Sequence, residues 1–132
     1  MSTKPIFSWL YLANATVLIL HQIDAAYWHE WELFKIPGGN QVNLILNLPI
    51  VILILYGHQA LAQGRIAGLR LYWLLASAGL FTVSIHSYFL IQGSEAFRQP
   101  VSVGILAAAL LLSLAQAIAG FTAGRRRVLP DK

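Results

Sequence analysis

The chain has 132 residues, 58% hydrophobic and 11% charged, with a mean hydropathy of +0.65. Soluble domains carry about 25% charged residues, so the composition excludes an ordinary soluble enzyme and indicates an integral membrane protein. The chain has no cysteine, which excludes disulfides, thiolate metal sites, iron–sulfur clusters and cysteine nucleophiles; the net charge of +4 reads as a membrane-orientation signal rather than a nucleic-acid surface.

Charge is confined to the ends and three short connections, which leaves four apolar runs of about 20 residues, the length that crosses a bilayer core about 30 Å thick. They predict an all-α fold, an integral membrane four-helix bundle, with residues 1–132 forming one transmembrane domain. The first helix is expected over about 6–31, with Phe7, Trp9 and Tyr11 at its start and Tyr27, Trp28 and Trp31 at its end, where aromatic side chains favour the membrane–water boundary. Ala13-Asn14-Ala15 resembles a signal-cleavage site, but the apolar segment continues well past it, so an uncleaved helix is expected. Pro37, Gly38 and Gly39 make a turn. The second helix is expected over about 41–62, with one backbone bond loosened at Pro49. A loop over 63–70 leads to the third helix, about 71–92, and a loop over 93–100 to the fourth, about 101–123. The small residues that close the fourth helix, Gly120 to Gly124, suit close helix packing.

With four spans, Lys4, Arg65, Arg70, Arg125, Arg126, Arg127 and Lys132 fall on one side of the membrane, and only Lys35 and Arg98 on the other. Seven against two predicts both termini in the cytoplasm. The expected location is the plasma (inner) membrane of a bacterium.

The polar residues within the spans fall into seams. At about 100° per residue, Asn14, His21, Asp24 and Trp28 share one stripe of the first helix, with Glu32 added if the helix continues. Asn43, Asn47 and His58 share a stripe of the second helix, Thr82 and His86 of the third, and Ser102, Ser113, Gln116 and Gly120 of the fourth. Polar groups in lipid require partners, so the four seams should face a common interior. His21 and His86 each lie roughly 22 Å from the cytoplasmic end of their spans, and Asn47 reaches a similar level from the other direction. An outer cluster of His21, Asp24, Asn47 and His86 is therefore expected, with His29, Glu32 and Asn43 as its rim and an inner layer of Asn14, His58, Ser77 and Gln116. Glu30 projects away from the seam of an unbroken helix and stays outside this site.

Two imidazoles and a carboxylate form a ligand set for zinc, iron, manganese or copper. In this reading His21, Asp24 and His86 hold a divalent metal, zinc or iron, and Asn47 and Asn43 orient the ligands. Glu32 or His29 then transfers a proton during hydrolysis of a lipid-like substrate drawn from the surrounding membrane lipids. Other readings stay open. The histidines could be axial ligands of a haem, the seams could carry protons as part of a transporter or channel subunit, or a His21–Asp24 pair could only hold helices together in an accessory subunit. Four short helices enclose little volume, which favours a homo-oligomer in the transport case. His58 has no carboxylate at its depth and reads first as structural. Trp28 and Trp31 read as interface anchors. No Gly-rich phosphate loop, H-E-x-x-H or G-x-S-x-G motif is present.

The stretch His21-Gln-Ile-Asp-Ala25 followed by His29-Glu-Trp31 resembles a family of small bacterial membrane proteins of unknown function. Their first helix ends in His-(Glu/Gln)-x-Asp-Ala … His-Glu-Trp. The resemblance extends to the proline-bearing second helix and a histidine in the third. It implies the same fold, and it marks His21, Asp24, His29 and Glu30, which argues against leaving Glu30 out. Asn47-Leu-Pro49 falls where the family has His-x-Pro, and this departure weakens Asn47 as a metal ligand.

Overall fold

The computed structural model describes residues 5–128, with side chains described as far as Ala123. Lys4 and Lys132, and the side chains of Arg125 to Arg127, therefore lie outside the described residues. The described chain is helical: α1 (Pro5–Tyr27), α2 (Glu30–Leu33), α3 (Gly39–Ala62), α4 (Ile66–Ile91) and α5 (Pro100–Val128), with no strand among the described residues. Four of these helices contain spans long and apolar enough to cross a membrane, and the chain is an integral membrane bundle.

Two features differ from the sequence expectation. The first helix stops at Tyr27, because His29 takes a left-handed conformation (φ 51°) and a separate four-residue helix follows. The third spanning helix begins at Ile66 rather than near Leu71. Gly64 (φ 68°) ends α3 with paired bonds from its own N–H to the Leu61 carbonyl and from the Arg65 N–H to the Ala60 carbonyl. That turn closes the connection within three residues. Gly93 (φ 89°) ends α4 in the same way.

Neighbouring helices pack in the order α1, α3, α4, α5 and back to α1; α1 and α4 also touch across the middle, whereas among the described residues α3 and α5 do not. The bundle is inverted relative to a soluble one. Its outward surface is apolar, with Ile23, Ile45, Leu48, Phe81 and Leu111 exposed. Asn14, His21, His86, Ser102, Ser113 and Gln116 are buried. Lipid solvates the first set and would leave the second set unpaired, so the polar residues are driven inward.

The inner layer is a closed hydrogen-bond network. Asn14 Nδ2 donates to Ser113 Oγ (3.1 Å) and to Gln116 Oε1 (2.8 Å). Gln116 Nε2 donates to the Tyr72 carbonyl (2.6 Å), and the Tyr72 hydroxyl donates to the Gln116 carbonyl (2.7 Å). This ties α1, α4 and α5 together beside an apolar cluster that includes Tyr11, Leu18, Leu61 and Leu75. Ser77, expected in this layer, faces outward. His58 is half-buried and pairs with Ser8.

Gly68 sets how closely α4 approaches α3. A Cβ there would strike backbone atoms of Ala60 and Leu61, which cannot rotate aside. Gly68→Ala is expected to cost about 1–3 kcal/mol, read as a lower melting temperature in detergent. Gly104→Ala, where the added carbon meets nothing within 4 Å, should leave melting unchanged or raise it.

Candidate metal centre

α1 delivers His21 to the interior and α4 delivers His86; both side chains are about 1% exposed. Their rings meet edge to face, with centroids 4.6 Å apart. The edge of His86 also lies against Phe97 (4.4 Å), and His21 lies 5.7 Å from the same ring. Phe97 is itself 1% exposed and has φ 64°, an unfavourable conformation for a bulky residue. The α4–α5 connection thus holds an aromatic ring against both histidines.

Glu30 supplies the carboxylate. Its Oε1 is 3.3 Å from His86 Nε2. On an unbroken helix Glu30 would project opposite to His21. The left-handed turn at His29 breaks the helix phase, and α2 restarts with Glu30 at its first position. Leu33 packs against the Ala25–Phe97–Leu106 cluster and anchors α2 over the bundle. One ligand atom from each of His21, Glu30 and His86 lies within 4.8 Å of the others. Donors around a tetrahedral zinc stand about 3.4 Å apart, close to the His86–Glu30 separation, so modest side-chain adjustment would complete a site.

Hydrogen bonding prepares the ligands. His86 Nδ1 lies 2.8 Å from the Thr82 carbonyl, which can only accept, so Nδ1 carries the proton. In neutral imidazole this leaves Nε2 as the nitrogen with the free lone pair, 3.3 Å from Glu30 Oε1. Buried side-chain atoms without a hydrogen-bond partner include His21 Nδ1, Asp24 Oδ2, Asn47 Oδ1 and His86 Nε2. These atoms belong to the four residues expected to form the outer cluster.

The structure brings His21 and His86 together and adds Glu30 to them. Asp24 lies one turn beyond His21 and is turned toward α5: Ser102 Oγ donates to Asp24 Oδ1 (3.1 Å) and accepts from Trp28 Nε1 (3.2 Å). Trp28 thus has a buried polar partner beyond the expected role of interface anchor. Asn47 donates to the side chain (3.0 Å) and backbone carbonyl (2.9 Å) of Asn43, so these two residues are bonded to each other along α3. His29 and Glu32 are exposed and lie 3.6 Å apart, outside the His21–Glu30–His86 group. His29 also stacks on Trp31 at 4.9 Å. A haem between His21 and His86 does not fit this arrangement, because the two rings are in direct contact and leave no gap for a porphyrin plane.

The family of unknown function DUF6713 matches residues 7–123. The chain belongs to that family. No curated protein and no solved structure matches it. In this DUF6713 protein, Glu30 is the site residue that helix projection misses. The available signal was the His29-Glu30-Trp31 motif, since nothing in the periodicity marks a break at a histidine.

The turn at His29 gives a direct test of how Glu30 is placed. Glycine adopts positive φ without strain, whereas a β-branched residue does not. His29→Gly should keep the wild-type melting temperature, and His29→Val should cost about 1–2 kcal/mol in thermal unfolding.

Proposed function

We propose that this protein binds one divalent metal ion through His21, Glu30 and His86 in the outer half of a bacterial plasma membrane, with both termini in the cytoplasm. The observation that carries the reading is the pair of buried imidazole nitrogens that make no hydrogen bond, His21 Nδ1 and His86 Nε2, the latter 3.3 Å from the Glu30 carboxylate. Such nitrogens cost free energy in an apolar interior unless a cation, proton or donor meets them. Two histidines and one carboxylate suit zinc or iron and leave coordination positions open.

An ion held in this way can act as a Lewis acid and lower the pKa of a coordinated water. The chemistry supported best is therefore hydrolysis of an ester, amide or phosphate in a lipid-like substrate. Asp24, with a free buried oxygen one turn from His21, is positioned to accept a proton. The Glu30–His86 contact also favours a second reading, in which the same pair carries a proton across part of the membrane without a metal.

Detergent-purified protein, stripped with chelator and offered zinc or ferrous iron, should take up about one ion per chain. His21→Ala, His86→Ala and Glu30→Gln should each weaken uptake by more than about 100-fold, while Glu32→Gln should leave it unchanged. Failure of wild-type protein to bind either ion, together with proton flux in liposomes that is lost in Glu30→Gln, would replace the metal reading with the second one.

A further inference from the structure

The His21–Glu30–His86 centre is closed in this structure. His21 Nδ1 and His86 Nε2 are both buried, so an ion from water reaches neither until some part of the protein moves. The long helices are held in place. Hydrogen bonds among Asn14, Ser113, Gln116 and Tyr72 tie α1, α4 and α5 together, and the Tyr11 hydroxyl ties α1 to the Ile54 carbonyl of α3. Phe97, on the α4–α5 connection, is buried against both histidines. α2 is held far less. It connects the α1 and α3 spans and belongs to neither, it has no buried residue, and its Glu32 is exposed beside an exposed His29. The Glu30 side chain is 17% exposed against 1% for His86, so the carboxylate forms the water-facing side of the centre.

The segment around α2 is also built to move as a unit. Its backbone bonds close within it: Glu32 N–H donates to the His29 carbonyl, Phe34 to Glu30, Lys35 to Glu32 and Ile36 to Trp31. Left-handed residues bracket it, His29 (φ 51°) on one side and Lys35 (φ 55°) on the other, with Gly38 and Gly39 following at positive φ. Element ends of this kind absorb the dihedral changes of a hinge. Three contacts hold the segment down: Leu33 on the Ala25–Phe97–Leu106 cluster, Phe34 on the edge of Phe89 at 5.6 Å, and Glu30 on His86. Two are small apolar contacts, which places α2 among the elements that open at low free-energy cost. We infer that α2 is a lid on the metal centre, resting on the metal reading above: it swings about His29 and residues 35–39 to admit the ion from water, and it returns Glu30 as the ligand that closes the site.

The test separates rates from affinity. Zinc uptake and release by the full chain in detergent are followed by stopped flow against a zinc-sensitive fluorescent chelator. The Leu33 contact holds the lid down whether the site is empty or filled, so loosening it speeds entry and exit alike. Leu33→Ala should raise the association and dissociation rates each about tenfold, the effect of losing part of a leucine's apolar contact. The dissociation constant should stay within about twofold of wild type, because both closed states lose the same contact. Glu30→Gln should instead weaken binding itself. Melting temperatures verify folding; if Leu33→Ala does not fold, Phe34→Ala takes its place with the same expected pattern. The chain has no cysteine, so a spin label at Glu32→Cys reports α2 alone, and zinc should shift its spectrum toward the immobile component. If the protein holds one zinc per chain but the loosened variant keeps both wild-type rates, or changes only the dissociation rate, the lid is overturned and the metal site stands. A label spectrum unchanged by bound zinc has the same meaning. If wild type takes up neither zinc nor ferrous iron, the lid and the metal reading fall together.

Discussion

The structure depends on one constraint: in a bilayer, a polar group must find its partner within the protein. Hydrophobic burial cannot order this bundle, because lipid tails solvate leucine as well as the interior does. Specific helix contacts come instead from polar groups and close approach. The Asn14–Ser113–Gln116 bonds join α1 to α5, and the two Tyr72–Gln116 bonds join α4 to α5. Gly79 lies against the Ser113 hydroxyl, where a Cβ would displace that hydroxyl from its place beside Asn14. The seams thus determine which helices are neighbours, and the neighbours determine which side chains share a depth.

The outer cluster depends on a second device, the break in α1. Three acidic residues, Asp24, Glu30 and Glu32, follow His21 within eleven residues, and an unbroken helix would present Asp24 and Glu32 on the seam. The left-handed residue at His29 changes that assignment, so that Glu30 turns inward to His86 while Glu32 stays at the surface beside His29. α2 has no buried residue of its own. Its position rests on Leu33, on a Phe34–Phe89 contact and on a C-terminal turn in which Lys35 is also left-handed. The carboxylate therefore sits on the least buried helical element, while both histidines sit on long helices fixed by packing.

This division explains what could be read from the residues alone. Spans, polar seams and the common depth of His21 and His86 follow from helical rise and rotation, which hold along any uninterrupted apolar segment. The identity of the third group depends on a single φ angle at a residue whose side chain gives no strong signal for it. Gly64 and Gly93, by contrast, are residues for which positive φ is ordinary, and the helices end where they stand. Asn43 and Asn47 share a stripe as expected, yet their bond to each other along one helix cannot be distinguished in a helical projection from bonds across the bundle.

The two polar layers serve as controls for one another. Both are buried, both join α1 to other helices, and both are solvated on the outside by the same lipid. In the inner layer the side-chain donors and acceptors find each other, as in a network whose purpose is packing. In the outer layer His21 Nδ1, His86 Nε2 and Asp24 Oδ2 make no hydrogen bond, although Ser102, itself bonded by Trp28, engages the other oxygen of Asp24. A sequence that satisfies one layer so fully has the means to satisfy the other, for instance with an asparagine in place of either histidine. Retaining two imidazoles edge to face, with His21 Nδ1 and His86 Nε2 lacking a hydrogen bond beside a carboxylate, makes sense if the missing partner is a proton or a metal ion. The inner layer holds the helices in register, and the outer layer leaves open the positions that the register creates.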